Sequence, residues 1–181
     1  MGSPNIPVTI IGGGKVACGE HLKSASQPMS HMGAVLAADR MHVHAIVETN
    51  DQKRSEIHKN WQFSETYNSL SNVPFVSNEL ITICTPRETH LDVALEAINR
   101  RPQAILIEKP CCASVSEAQQ ILQKSKRAGV KVFVNYNRRF DERIERVKNQ
   151  FEGLPEEIHI TYSRGIFNYA SHLIDLVVYW F

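Results

Sequence analysis

The sequence predicts an α/β protein built on a doubly wound parallel sheet, with the start of a second, α+β domain behind it. Three observations carry that prediction. A glycine cluster, Gly12-Gly13-Gly14, joins the apolar run Val8-Thr9-Ile10-Ile11 to helix-forming sequence. Short β-branched runs then alternate with helical stretches across brief joins, a pattern that right-handed crossovers turn into a parallel sheet with helices on both faces. Around Gly153-Leu154-Pro155 the alternation gives out. Residues 1–153 are therefore expected to form the sheet domain and residues 154–181 the beginning of another.

Taken in order, Val8–Ile11 is the first strand and a helix runs from Val16 to about Lys23. Residues 24–30, with three Ser and a Pro as breakers, form a loop. A helical piece over His31–Ala38 precedes the strand Val43–Val47, which ends at Glu48. Asp51–Asn60 reads as a polar-faced helix, and a brief strand is expected near Gln62-Phe63. Leu80–Cys84 has the β-branched content of a buried strand. Thr85-Pro86-Arg87-Glu88 has the chemistry of a helix opening, with Thr as cap, Pro in the first turn and Glu three residues after the cap. Leu91, Ala94, Leu95 and Ile98 then recur at helical spacing. Ala104–Ile107 is the next strand, Ser114-Val115-Ser116-Glu117 opens a helix with the same capping pattern, and Gly129 ends it. Val130–Val134 is a strand; Ile144, Val147 and Phe151 mark a helix. Glu157–Tyr162 reads as a strand of a different sheet, and Tyr169–Phe181 as a final apolar helix.

Composition narrows the function classes. Hydrophobic residues make up 43% and charged residues 22% of the 181, which is ordinary for a globular domain. A net charge of +1 gives no electrostatic case for nucleic acid or an anionic membrane. No apolar run approaches bilayer length, and the N-terminus lacks a signal peptide's apolar core. The four cysteines, Cys18, Cys84, Cys111 and Cys112, show neither metal-ligand spacing nor a C-x-x-C pair, so no metal is expected. Thiols in a reducing compartment fit a cytoplasmic location.

Gly12, Gly14 and Ala17 fit the dinucleotide fingerprint G-x-G-x-x-G/A. The first glycine permits the sharp turn, the second lets backbone approach a pyrophosphate, and the small third residue packs helix on strand. Gly12, Gly13, Gly14, Lys15 and Val16 are thus the expected pyrophosphate-binding segment, at a helix start whose N–H groups and dipole favour anions. The bland alternative is a Gly-rich turn. Glu48 stands at the end of the second strand, where a carboxylate accepts from ribose hydroxyls and repels a 2′-phosphate; NAD is favoured over NADP. Its separation from the turn exceeds the usual ~20 residues, an excess the loop over 24–30 can absorb. Lys53 and Arg54 are near enough in sequence to blunt the preference. Thr85, Pro86 and His90 follow the strand after the switch point, and Glu108-Lys109-Pro110 follows the next, both at strand ends where such sheets bind ligands. Ser171-His172-Leu173-Ile174-Asp175 lies in the last helix.

Together these motifs resemble the glucose–fructose oxidoreductase, inositol dehydrogenase and rhizopine-catabolism (Gfo/Idh/MocA) family. The resemblance runs from Val8 to Phe181, and Asn137-Arg138-Arg139-Phe140 shares it. It rests most on Glu-Lys-Pro after the fifth strand with His-x-x-Asp downstream. It implies an NAD(P)-binding Rossmann domain followed by an open-sheet domain that supplies substrate contacts and often the oligomer interface. It also implies that Thr85, Pro86, His90, Glu108 and Lys109 border the cofactor, and that Lys109, His172 and Asp175 are catalytic.

Those roles fit the side chains. Histidine, with an ordinary pKa of ~6.5, exchanges protons near neutrality. A lysine can stabilise alkoxide charge. Asp175, one turn after His172, can orient the imidazole or balance its cation. Each has a plainer alternative: a structural histidine, a solvated lysine, a locally paired aspartate. His31 is a weaker candidate, for a loop over the cofactor, and Arg138 and Arg139 receive no role. One departure stands out, since many members carry an acid four residues before the histidine, where this chain has Asn168.

The expected activity is hydride transfer between nicotinamide and a hydroxyl or carbonyl of a sugar, cyclic polyol or sugar derivative. The alternative is a non-catalytic dinucleotide-binding protein or fragment without the substrate domain. A methyltransferase would also carry a Gly-rich turn and an acid after the second strand, but has no use for Lys109 with His172. Family members continue beyond the His-x-x-Asp helix, so a truncated chain is expected. Its apolar end, Tyr179-Trp180-Phe181, would then pair with another copy.

Overall fold

The structure, a computed structural model, describes residues 5–19, 29–163 and 165–181. Its six strands are β1 (Ile6–Ile11), β2 (Met41–Val47), β3 (Thr66–Tyr67), β4 (Leu80–Ile83), β5 (Ala104–Ile107) and β6 (Lys131–Val134). The helices are α1 (Lys15–Cys18), α2 (His31–Ala37), α3 (Asp51–Trp61), α4 (His90–Asn99), α5 (Val115–Ala128), α6 (Glu142–Lys148) and α7 (Ser171–Trp180). The sheet has the order β3-β2-β1-β4-β5-β6, which is the Rossmann order. β1 is the hinge of that order. It pairs in parallel with β2, placing Ile10 beside Ile46, and with β4, placing Ile10 beside Thr82.

Alternation along the strands divides the core between two faces. Ile11, Val47, Ile81, Ile83, Ile105 and Ile107 lie in one cluster with Ala94, Ala97 and Ile98 of α4 and Ile121 of α5. Val8, Ile10 and Ile46 lie in the other with Ala17, Met32, Val35 and Ile57 of the first three helices. Helices therefore cover both faces, and the chemistry is left to the carboxyl ends of the strands.

Local signals explain most element ends. Ser114 caps α5 by accepting from Glu117 N, and Gly129 closes that helix at φ +70°. The opening expected at Thr85-Pro86 differs: a 3₁₀ turn over Arg87–Thr89 comes first, and α4 begins at His90. There the Thr89 hydroxyl donates to Thr85 Oγ1 and Pro86 O, so the residues expected to cap the helix stabilise the turn before it. The strand expected near Gln62-Phe63 is displaced to β3. Gln62, at φ 53°, is the left-handed end of α3, and Trp61 and Phe63 pack on the core, so the chain straightens only afterwards. The first helix is described only over α1, and most of the loop over 24–30 lies outside the described residues.

The chain separates into two compact units, the first ending at Phe133 and the second spanning Val134–Phe181. The change of character expected at Gly153–Pro155 falls inside the second unit, whose ends are tied together. Tyr179 donates to Glu145 Oε1 at 2.8 Å, and the Phe151 ring packs on Trp180 and Phe181 at 5.5 and 5.1 Å. Asp141 caps α6, and Arg143 beside it holds its carboxyl down at about 2. The strand expected over Glu157–Tyr162 is absent, and these residues carry no regular structure. A strand needs a neighbour for its N–H and C=O groups, and none pairs with it among the described residues.

Candidate functional site

The glycine turn is fixed by what surrounds it. Gly12 adopts φ +100°, and a Cβ there would lie 2.9 Å from the Cys84 carbonyl oxygen. Only glycine lets β1 turn this close to the end of β4. Gly12 N donates to Val47 O at 2.7 Å and Cys84 N to Ile11 O at 2.8 Å, stitching the turn to both neighbouring strands. A Cβ on Gly13 would meet Ile57 and Glu48 at 2.8 and 3.0 Å. Gly14 is the opposite case, because a Cβ there meets no atom of the described residues within 4 Å. Among those residues, nothing fills the space before Gly14.

Beside the turn, at the point where strand order reverses, lies a cavity of about 670 Å³. Gly12, Gly13, Gly14, Glu48, Thr85 and Pro86 line it, so six of the residues expected at the cofactor meet there. Lys15 lines a smaller adjoining hollow that shares Gly13, Gly14 and Lys53, while Val16 is half exposed and lines neither. Glu48 is 9% exposed, and its carboxylate does local work. Oε2 accepts from Gly13 N at 2.8 Å and Oε1 from Asn50 N at 2.9 Å. Each oxygen has two lone pairs, so the carboxylate can build the turn and still accept from a hydroxyl. Of the two nearby cations, Arg54 turns back to Glu48 O and Asp51, whereas Lys53 lines the cavity.

Burial, and next the Glu48 charge, pushes the Cys18 thiol up to about 12; burial raises Cys84 further still. Neither is a thiolate nucleophile near neutral pH.

His90 is 1% exposed and is not among the residues lining the cavity. Its Nε2 faces Thr85 O at 2.8 Å, and its Nδ1 faces Pro110 O and Cys111 O at 3.0 and 3.1 Å. The ring therefore bridges the loop after β4 and the loop after β5. Glu108 pairs with His31 Nε2 at 2.9 Å, which puts His31 at the start of α2 against the end of β5. Lys109 follows, half-buried, with a cis peptide to Pro110. In the second unit, His172 sits half-buried on α7 with its ring edge-on to Tyr136 at 5.8 Å. Both carboxylate oxygens of Asp175 take the guanidinium of Arg139, in a pair where Asp175 is 9% exposed. Arg139, given no role from sequence, is thus the observed partner of Asp175.

Sequence reading also missed Val93 and Glu96 as cavity residues. With Thr89, the cap of α4, they fall at i, i+4 and i+7, a spacing visible in the sequence once α4 is known to border the cavity.

Comparisons with known proteins agree with this architecture. Myo-inositol 2-dehydrogenase of Thermotoga maritima is 25% identical over 87 residues, 46% of this chain and 26% of its own length. Among solved structures, an NAD-binding protein from Listeria innocua superposes with TM-score 0.74 at 21% identity, covering 98% of this chain and 55% of its own. The WlbA dehydrogenase of Bordetella pertussis, in complex with NADH and UDP-GlcNAcA, superposes with TM-score 0.68 at 20% identity, covering 82% and 40%. The chain thus spans about a quarter of the curated inositol dehydrogenase it matches. No described helix is long and apolar enough to cross a membrane. Residues 6–136 match the oxidoreductase family with an NAD-binding Rossmann fold, and the chain belongs to that family, Gfo/Idh/MocA.

Proposed function

We propose that this chain binds NAD(H) in the cavity beside Gly12–Gly14 and serves hydride transfer at a hydroxyl or carbonyl of a sugar, cyclic polyol or sugar derivative. The observation that carries the proposal is the open face of Gly14 beside a Glu48 carboxylate with acceptor capacity left. That combination suits a pyrophosphate next to a ribose. Gly12, Gly13 and Gly14 hold the pyrophosphate with Lys15 beside them; Glu48 accepts from the ribose, and Thr85 and Pro86 form the opposite wall. NAD is preferred to NADP because a 2′-phosphate would face the Glu48 charge.

When bound, NAD supplies the two-electron acceptor. The chain's own part is the proton and the oxygen charge. His172 accepts the substrate hydroxyl proton as the alcohol becomes a carbonyl, and Lys109 donates a hydrogen bond to that oxygen. Asp175, on the last helix, holds Arg139 in place. Inositol and sugar-nucleotide names among the relatives favour a polyhydroxylated substrate. Residues 154–181 then begin a substrate and oligomerisation domain, and α7 offers its apolar side to a second copy.

Titration calorimetry with NAD⁺, NADH, NADP⁺ and NADPH tests the binding half. Polyol-dependent NADH formation that disappears in Lys109→Ala and His172→Ala supports the catalytic half. NAD binding without turnover on any polyol or sugar would leave the non-catalytic alternative standing, and absence of binding would end both.

A further inference from the structure

The cavity extends beyond the groups that a pyrophosphate and a ribose require. It is also walled by Asn68, Ser69 and Leu70, which follow β3, and by Val93 and Glu96 of α4. Leu70 is 3% exposed and belongs to the core, and Val93 packs against that same core. Their apolar surfaces suit the faces of a flat ring. The polar atoms in this part are not equally available. The Asn68 amide oxygen already accepts from Asn72 at 2.8 Å, and the Ser69 hydroxyl is shared with Ser71 at 2.8 Å. The Glu96 carboxylate is exposed, and among the described residues it has no hydrogen-bond or ion-pair partner.

An unpaired carboxylate in the wall of a dinucleotide cavity constrains what can lie beside it. It repels phosphate, so the pyrophosphate belongs at the glycine turn and the group directly beside Glu96 is uncharged. It accepts hydrogen bonds and donates none, so the matching group is a donor. The adenine base offers apolar faces with one exocyclic amino group, which fits both Leu70–Val93 and Glu96.

We propose that Glu96 accepts a hydrogen bond from the adenine amino group and so makes this chain selective for the base of its dinucleotide. The inference rests on the NAD-binding reading above. It assigns a specificity-determining role to a residue that is otherwise a solvated carboxylate on a helix.

The test compares NAD⁺ with 1,N⁶-etheno-NAD⁺, in which the bridging ring removes the amino donor, by calorimetry on the wild type, Glu96→Gln and Glu96→Ala. Glu96 is exposed and mid-helix, and both replacements are good helix formers, so folding is preserved. The wild type should bind NAD⁺ about three- to tenfold more tightly than the etheno analogue, less than a buried hydrogen bond to a charged group would give because Glu96 is exposed to water. Glu96→Gln, which still offers an amide oxygen, should keep part of that preference, and Glu96→Ala should lose it. A preference that survives intact in Glu96→Ala, or that is absent from the wild type, overturns the assignment while leaving NAD binding untouched. Failure of every protein to bind NAD⁺ would instead overturn the reading on which the assignment depends.

Discussion

Substituting alanine at Gly12 and at Gly14 should separate folding from binding, because the two glycines are needed for different reasons. At Gly12 the added Cβ would sit 2.9 Å from Cys84 O and 3.1 Å from Thr85 N, on backbone at φ +100°. The positive φ costs about 1–3 kcal/mol for an L side chain. Displacing a strand end that is hydrogen-bonded to β1 costs about 1–3 kcal/mol more, as overpacking does elsewhere. A total of about 2–6 kcal/mol lowers Tm by about 4–24 °C at this chain length. At Gly14 the backbone is extended, φ −72° and ψ −176°, and the new Cβ touches nothing among the described residues. Stability should hold, or rise by about 0.4–1 kcal/mol through a less flexible unfolded chain. NAD⁺ affinity should nevertheless fall at least about tenfold, or ~1.4 kcal/mol, since the methyl group fills the space kept for the pyrophosphate. Thermal unfolding and titration calorimetry on both variants give the four numbers required. Gly14→Ala protein that binds NAD⁺ like the wild type would refute the cradle, whatever its melting temperature.

Three further outcomes follow from particular contacts. Glu48→Gln keeps an oxygen for the turn but removes the charge, so NADP⁺ affinity should rise about tenfold relative to NAD⁺; an unchanged ratio would show that Glu48 does not face the ribose. Arg100 donates to Glu79, which is 1% exposed, and to the carbonyls of Leu70, Val73 and Pro74. Arg100→Met strands a buried carboxylate and should cost about 3–5 kcal/mol by urea unfolding, and a loss under 1 kcal/mol would rule out a paired carboxylate there. The Cys18 thiol, ordinarily at 9.0, is pushed up to about 12 in the folded chain. Above pH 9 the unfolded thiol loses its proton while the folded one keeps it, so stability should fall as pH rises from about 9 toward 12. Denaturant midpoints across that range should fall less steeply in Cys18→Ala, and parallel curves would assign the alkaline loss to other groups.

The sheet was legible because its signals are local and repeated. Alternating β-branched runs, Ser114 as a cap and Gly129 as a stop act within a few residues, and each appears where the sequence places it. The glycine turn was legible for the same reason. What escaped depends on distant partners. Glu157–Tyr162 has the composition of a strand but no described neighbour to pair with, and composition cannot supply one. Asp175 shares a helical face with His172, yet its carboxylate is taken by Arg139, 36 positions earlier. His90 carries the same lesson. Its place after Thr85-Pro86 suggested a cofactor contact, and only the fold brings Pro110 and Cys111 to its other nitrogen.

Glu48 shows why the site is hard to separate from the fold. A carboxylate that only selected the ribose could be exchanged freely when a different cofactor was wanted. Here its oxygens also hold the N–H groups of Gly13 and Asn50, one in the glycine turn and one at the cap of α3. Removing both acceptors leaves two donors unpaired in a partly buried place, at about 1–3 kcal/mol each if water does not replace them. Glu48→Ala therefore mixes two effects, a relaxed rejection of NADP(H) and a loosened turn that weakens every dinucleotide. Comparing it with Glu48→Gln resolves them. If NADP⁺ gains affinity in the Gln protein while both cofactors lose it in the Ala protein, the carboxylate selects through its charge and builds the turn through its oxygens.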